Sequence, residues 1–225
     1  MIDKLYPNAA AALEGLRDGA TVLISGFGDA GVPFALCLAV LETGARDLTV
    51  VANNAGFAGK GVAALIDAGR VARIICSFPR SEPDSPFVRQ YKAGRIALEL
   101  VPQGTLGERM RAAGAGIAGF YTRVSAGTRL AEGKEMREID GHQHVLERPL
   151  RGDFALVRAE KADRWGNLVF RKAARNFGPV MATAADITVV EVAECVENGA
   201  LDPEAVVTPS VYVDRIVVTG PGGPR

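Results

Sequence analysis

A short apolar run that breaks into glycines and reopens as a helix is the feature that most constrains this chain. Thr21-Val22-Leu23-Ile24 is followed by Ser25-Gly26-Phe27-Gly28-Asp29-Ala30-Gly31, and Pro33 then opens the alanine- and leucine-rich segment 34–41. Proline suits the first helical position because its missing N–H has no partner there anyway, so the order reads strand, loop, helix. The pattern recurs with Leu48-Thr49-Val50-Val51, the loop Asn53-Asn54-Ala55-Gly56 and a helix over 61–68, and then with a short strand over 73–76. A strand over 96–101 leads through Pro102-Gln103-Gly104 into a helix over 105–113, in which Thr105 and Glu108 have the spacing of a capping box. Further strands are expected over 154–158, 167–171, 187–192 and 211–218, and the polar stretch 122–141 reads as turns and a hairpin. Strands alternating with helices at this spacing predict an α/β chain with an open, mostly parallel sheet covered by helices on both faces. With no internal repeat or linker, the reading is one domain over residues 1–225.

Charge and cysteine content narrow the function classes. Lysine plus arginine equals aspartate plus glutamate at 26 each, which offers no uniform basic surface to nucleic acid. Cys37, Cys76 and Cys195 are too scattered for a disulfide framework or a zinc cage and read as reduced, buried thiols. No stretch approaches the roughly 20 apolar residues of a membrane span, and the N-terminus lacks a signal pattern. A cytoplasmic protein, not bound to membrane, is expected.

In such sheets ligands bind outside the carboxyl ends of the strands, which directs attention to the loops at 25–31, 53–56 and 102–104. Gly26-Phe27-Gly28-Asp29-Ala30-Gly31 superficially suggests a dinucleotide fingerprint, but Phe27 is bulky and no acidic residue closes the second strand. The turn still offers backbone N–H groups near a helix N-terminus, an arrangement able to stabilise an oxyanion, or it is simply a tight turn. Asn53, Asn54 and Gln103 are placed to donate hydrogen bonds to a carboxylate or carbonyl, although asparagine is also a turn former. His142 and His144 have strand spacing for a metal, but their polar surroundings favour an exposed hairpin, and no metal is expected. No Gly-x-Ser-x-Gly elbow occurs, and Glu197 in Val196-Glu197-Asn198-Gly199 reads as a solvated turn.

The segment 18–33, with its Gly26-Phe27-Gly28 turn, resembles the first signature of the 3-oxoacid coenzyme A-transferases. Asn53-Asn54-Ala55-Gly56, Val101-Pro102-Gln103-Gly104-Thr105-Leu106, Gly114-Ala115-Gly116, Ala173-Ala174-Arg175-Asn176-Phe177 and Tyr212-Val213-Asp214-Arg215-Ile216 are similar to family motifs in the same order. The chain departs from them at Ser25, where the signature has glycine, and in the loop from Arg123 to Ala126. The resemblance covers nearly the whole chain, and its length matches the family's A (alpha) subunits. It implies transfer of coenzyme A from succinyl-CoA to a 3-oxoacid through a glutamyl-CoA intermediate. Coenzyme A thioester is then a substrate, and no separate cofactor is implied. The family's nucleophilic glutamate lies in a Ser-Glu-Asn-Gly motif on the B (beta) subunit, and that motif is absent here. A hetero-oligomer with the CoA-transferase B (beta) chain is therefore implied, in which this chain contributes Asn53, Asn54 and Gln103 and the turn Ser25, Gly26, Phe27, Gly28, Asp29, Ala30 and Gly31. Asp163-Arg164-Trp165-Gly166-Asn167-Leu168, the run 171–179 and Cys76-Ser77-Phe78-Pro79-Arg80 look most like the branch acting on 3-oxoadipate in aromatic catabolism. An acetoacetate or short-chain acyl transferase is the alternative, and a non-catalytic nucleotide-binding module the reading from another class.

Overall fold

A computed structural model describes residues 2–57, 59–79 and 82–220. Arg80, part of one motif above, lies outside the described residues. Seven strands form a parallel sheet in the order β11-β10-β8-β1-β2-β3-β4: β1 is Thr21–Ile24, β2 Leu48–Ala52, β3 Val71–Cys76, β4 Ala97–Leu100, β8 Gly152–Asp163, β10 Ala185–Val196 and β11 Arg215–Val218. The two-residue β9, Leu168–Val169, turns back antiparallel on β8. A separate antiparallel sheet, β5-β7-β6, joins Phe120–Thr122, His142–Glu147 and Met136–Ile139.

Alternation along the strands explains how the sheet is covered. On β1, Val22 and Ile24 face one core together with Leu36, Val40, Leu65, Ile66 and Phe87. These side chains come from α2 (Phe34–Thr43), α3 (Val62–Asp67) and α4 (Pro86–Lys92), while α1 (Ala9–Ala12) adds Ala12. Leu23 faces the other core with Leu106 and Met110 of α5 (Gln103–Gly114) and Met181 of α6 (Gly178–Thr183). Both faces of the inner strands are thereby covered, as a parallel sheet requires.

Several boundaries differ from expectation. The capping box at Thr105 does not form: α5 starts two residues earlier at Gln103, behind Pro102, and the Thr105 hydroxyl is buried without a partner. Pro102 stands at the N-cap position with φ −53°, and the helix begins at the next residue without a side-chain cap. Pro33 stands at the N-cap position, outside α2 rather than as its first residue, and gives it no side-chain cap. The strand expected over 211–218 is halved, because Ser210–Tyr212 turns as a 3₁₀ helix and Asp214 takes the Thr188 N–H with its carboxylate at 2.7 Å. The strand expected over 167–171 contracts to Leu168–Val169, and α4 went unrecognised in the sequence. Cys37 and Cys76 are buried, but Cys195 is only partly so, near the open end of β10.

Candidate active site

The sheet reverses direction of growth at β1, which has β2 on one side and β8 on the other. The loop leaving its carboxyl end is the 25–33 turn. Gly26 has φ 132°, and a side chain there would run into Val32; Gly31 has φ 75°, and a side chain there would run into the Ala174 carbonyl. The turn therefore closes on itself and lies hard against the segment 171–176.

Most of its hydrogen-bonding capacity is spent internally. Phe27 N–H donates to the Ala30 carbonyl at 3.0 Å and Ala30 N–H returns to Phe27 at 3.2 Å. Gly26 N–H donates to Asn176 Oδ1 at 3.0 Å, and Asn176 Nδ2 donates to the Ala30 carbonyl at 2.8 Å. Ser25 Oγ donates to the Gly31 carbonyl at 2.7 Å and accepts the Arg158 N–H at 3.2 Å. This corrects the expectation of free donors at Gly26 and Phe27: both N–H groups are occupied, and the Ala30 and Gly31 carbonyls are engaged inside the turn. Asn176 is the site residue that sequence reasoning missed. Its motif was visible, but a turn in sequence gives no sign of an acceptor 150 residues away.

Asn53 and Asn54, at the end of β2, are nearly buried. Asn53 Oδ1 accepts from Ser77 Oγ at 2.8 Å, and Asn54 Oδ1 accepts the Gly56 N–H at 2.9 Å. Because each oxygen is held by protein, each amide nitrogen is left as the outward donor. With Ser25, Gly26, Gly28 and Asp29 they line a narrow cavity of about 20 Å³, the size of a water molecule, bordered also by Lys60. Gln103 is not among them. It sits exposed on the first turn of α5 and lines a wider cleft of about 450 Å³ with Phe27, Gly104, Glu108, Asn176 and Phe177. The expected site residues thus divide between two recesses that share the Gly26-Phe27-Gly28 turn. Phe27 itself is 52% exposed.

Beneath the turn lies a buried charge. Glu191 on β10 is 0% exposed; it accepts from Arg158 Nη1 at 2.7 Å and from the Leu36 N–H at 3.1 Å. It supplies the N-terminal cap that Pro33 cannot give α2. Burial pushes its carboxyl above the usual carboxylate range, opposed by the Leu36 N–H and Arg158. A lone acid inside the apolar run 187–192 was the sequence signal for this residue.

Carboxylates at the recesses themselves are Asp29 and Glu108, both exposed, and Glu108 is paired with Arg111 at 2.9 Å. Glu197 is exposed in the turn after β10 and lines neither recess. Cys76, at the end of β3, is a poor nucleophile because burial pushes its thiol up to about 12. His142 and His144 lie on β7 of the small sheet, and among the described residues no group of three or more His, Cys, Asp or Glu has the placement to hold a metal. Among the described residues no helix is long and apolar enough to cross a membrane.

Known proteins share both the sequence and the fold. Residues 6–219 match the coenzyme A transferase family. The chain is similar to the A subunit of the 3-oxoadipate CoA-transferase of Pseudomonas putida, with 54% identity over 96% of this chain and 94% of that protein. It is also similar to the A subunit of a succinyl-CoA:3-ketoacid coenzyme A transferase of Xanthomonas campestris, with 49% identity over 96% of this chain and 88% of that protein. The crystal structure of glutaconate coenzyme A-transferase from Acidaminococcus fermentans shares the fold at a TM-score of 0.85 and 19% identity, covering 98% of this chain and 77% of that one.

Proposed function

This chain belongs to the coenzyme A transferase family and is of the A-subunit type, and from that premise we propose that it moves coenzyme A from succinyl-CoA to 3-oxoadipate together with a B subunit in the cytoplasm. The observation that carries the reading is a site with pinned amide donors and no sheltered carboxylate. A glutamate that must survive as an acyl anhydride needs enclosure from water, whereas Asp29 and Glu108 are exposed and Glu191 is locked beneath α2. The nucleophile is therefore assigned to the partner. Its carboxylate attacks the thioester carbonyl, expels coenzyme A thiolate and forms the mixed anhydride; the thiolate then attacks the glutamyl carbonyl and releases succinate. The 3-oxoacid carboxylate next attacks the glutamyl thioester, and the same two steps run in reverse order of partners. Each tetrahedral oxyanion needs donors in place beforehand, and this chain supplies them from the Asn53 and Asn54 amides and the Gly28 turn, with Gln103 orienting the substrate carboxylate.

Acceptor identity rests on the higher identity to the P. putida protein and on the 163–179 motifs; acetoacetate is the second reading, since the X. campestris relative is named only for a 3-ketoacid. The test is co-purification with a B subunit, followed by an assay of succinyl-CoA consumption with each acceptor. Preference for 3-oxoadipate supports the proposal, preference for acetoacetate selects the alternative, and absence of thioester exchange by the complex removes both.

A further inference from the structure

Strand β3 ends at Cys76, and the next two residues, Ser77 and Phe78, have no part in the function proposed above. Their backbone is clamped to the loop that follows β2. The Ser77 and Phe78 N–H groups both donate to the Asn53 carbonyl, at 3.2 and 3.1 Å. A carbonyl oxygen has two lone pairs, and these two bonds occupy both. The Ser77 hydroxyl lies 3.0 Å from that carbonyl and 2.8 Å from Asn53 Oδ1, and it has a single proton to give. With the carbonyl already filled, the proton goes to Oδ1.

The direction of that proton matters because a carboxamide has a donor end and an acceptor end. With Oδ1 held by the hydroxyl, the amide turns its N–H donors toward the narrow recess that Asn53 lines with Asn54 and Gly28. Turned over, it would set its nitrogen against Ser77 Oγ, push the hydroxyl proton onto the crowded carbonyl and face the recess with an acceptor, which repels an oxyanion. Asn53 is only 7% exposed, so water does little to offset a wrong orientation. Asn54 is held differently: its oxygen meets the Gly56 backbone N–H, which can only donate and admits one orientation. Asn53 is thus the amide of the pair whose direction depends on a side chain. We infer that Ser77 is a positioning residue: its hydroxyl selects the Asn53 orientation that presents donors, and turnover depends on it although it lines neither recess. The inference rests on the oxyanion role proposed above for Asn53.

The experiment measures succinyl-CoA exchange in the assembled two-subunit enzyme. Ser77→Ala removes the hydroxyl and keeps both backbone bonds to the Asn53 carbonyl, so the two loops stay joined while the amide is released. It is expected to lower kcat about fivefold, what one net hydrogen bond is worth in a rate, with KM unchanged. Ser77→Thr, which keeps the hydroxyl, retains most of kcat. In an Asn53→Ala background, Ser77→Ala lowers kcat no further, because the amide it orients is gone. Unchanged kcat in Ser77→Ala, a loss confined to KM, or the same loss in both backgrounds overturns the inference. A second measurement needs neither turnover nor a variant at Ser77. In the full chain, isotopically labelled at asparagine nitrogen, the Asn53 side-chain amide resonance is identified by its absence in Asn53→Ala. With the nitrogen facing the recess, it shows no nuclear Overhauser contact with the Ser77 methylene protons; such a contact places the nitrogen against Ser77 and overturns the inference. Should the wild-type complex show no exchange, the transferase reading fails separately and this spectrum decides the orientation, as it does should Ser77→Ala not fold.

Discussion

Asn176 joins two stretches of chain through one carboxamide: its oxygen receives the N–H groups of Gly26 and Phe177, and its nitrogen reaches Ala30, Ala173 and Ala174. Truncation to alanine leaves the Gly26 N–H without its partner, while the Ala30 carbonyl keeps the Phe27 N–H, and Asn176→Ala is expected to cost about 1–3 kcal/mol. Urea unfolding measures that cost, and kcat in the assembled enzyme falls with it because the turn beside the reacting carbonyl loses its brace. Asn53 and Gln103 answer differently. Asn53→Ala and Gln103→Ala are each expected to slow turnover by about 10²-fold, if their amides meet charge that develops in the transition state, with unfolding midpoints little changed for exposed Gln103. Unaltered kcat in either folded variant would reduce that residue to a turn former. At this scale the sequence was informative about residue type: polar amides ending strands were legible as donors. Which N–H groups were already committed was not, because Gly26 is satisfied by a residue far along the chain.

Between elements, charge takes the place of local capping. Helix α2 has no side-chain cap of its own, and Glu191 reaches across from β10 to fill that place while pairing with Arg158 of β8. Removing one partner of a buried pair strands the other, so Glu191→Ala is expected to lose about 3–5 kcal/mol, read from denaturant midpoints, with Glu191→Gln losing less because it can still accept the Leu36 N–H. A second junction lies at α5, where Arg109 bonds Glu99 of β4 at 2.7 Å and lies 3.9 Å from Glu147 of β7. Burial raises the Glu99 carboxyl's pKa, but the hydrogen bonds and charges of Arg109 and Arg73 outweigh it and hold the group below the usual range. A depressed carboxyl contributes stability that is full above its unfolded pKa of about 4.3 and is lost as pH falls through the folded value. Glu99→Gln should therefore flatten the decline in urea midpoint between neutral and strongly acid pH; an identical slope in mutant and wild type would exclude this origin. Element types were mostly legible from periodicity, and their ends were not. The 211–218 run looked like one strand because its apolar content hides the turn at Ser210–Tyr212, and α5 begins directly after Pro102, ahead of the threonine whose spacing suggested the cap.

For the whole molecule, the parallel sheet and its two dry faces followed from the alternation of strands and helices, while the order of strands did not, since nothing local reports that β1 lies between β2 and β8. In the function proposed above, the site at that reversal is completed by a B subunit. Purified without a B subunit, the protein is expected to fold, with a cooperative thermal transition, and to show no exchange between succinyl-CoA and either 3-oxoacid; robust turnover by the lone chain would place the nucleophile here after all. The central position of β1 also governs how the chain comes into being. Its first four strands leave the ribosome early and pair in sequence neighbourhood, but the far edge of β1 waits for β8, where Thr21 N–H meets the Asp153 carboxylate 132 residues later. Through that interval a nascent chain carries an open row of backbone donors and acceptors on its innermost strand, the kind of edge that recruits strangers. What is the best-protected strand of the finished molecule is its most exposed liability during synthesis, and chains broken off before residue 152 should be cleared or aggregate rather than persist as a stable half.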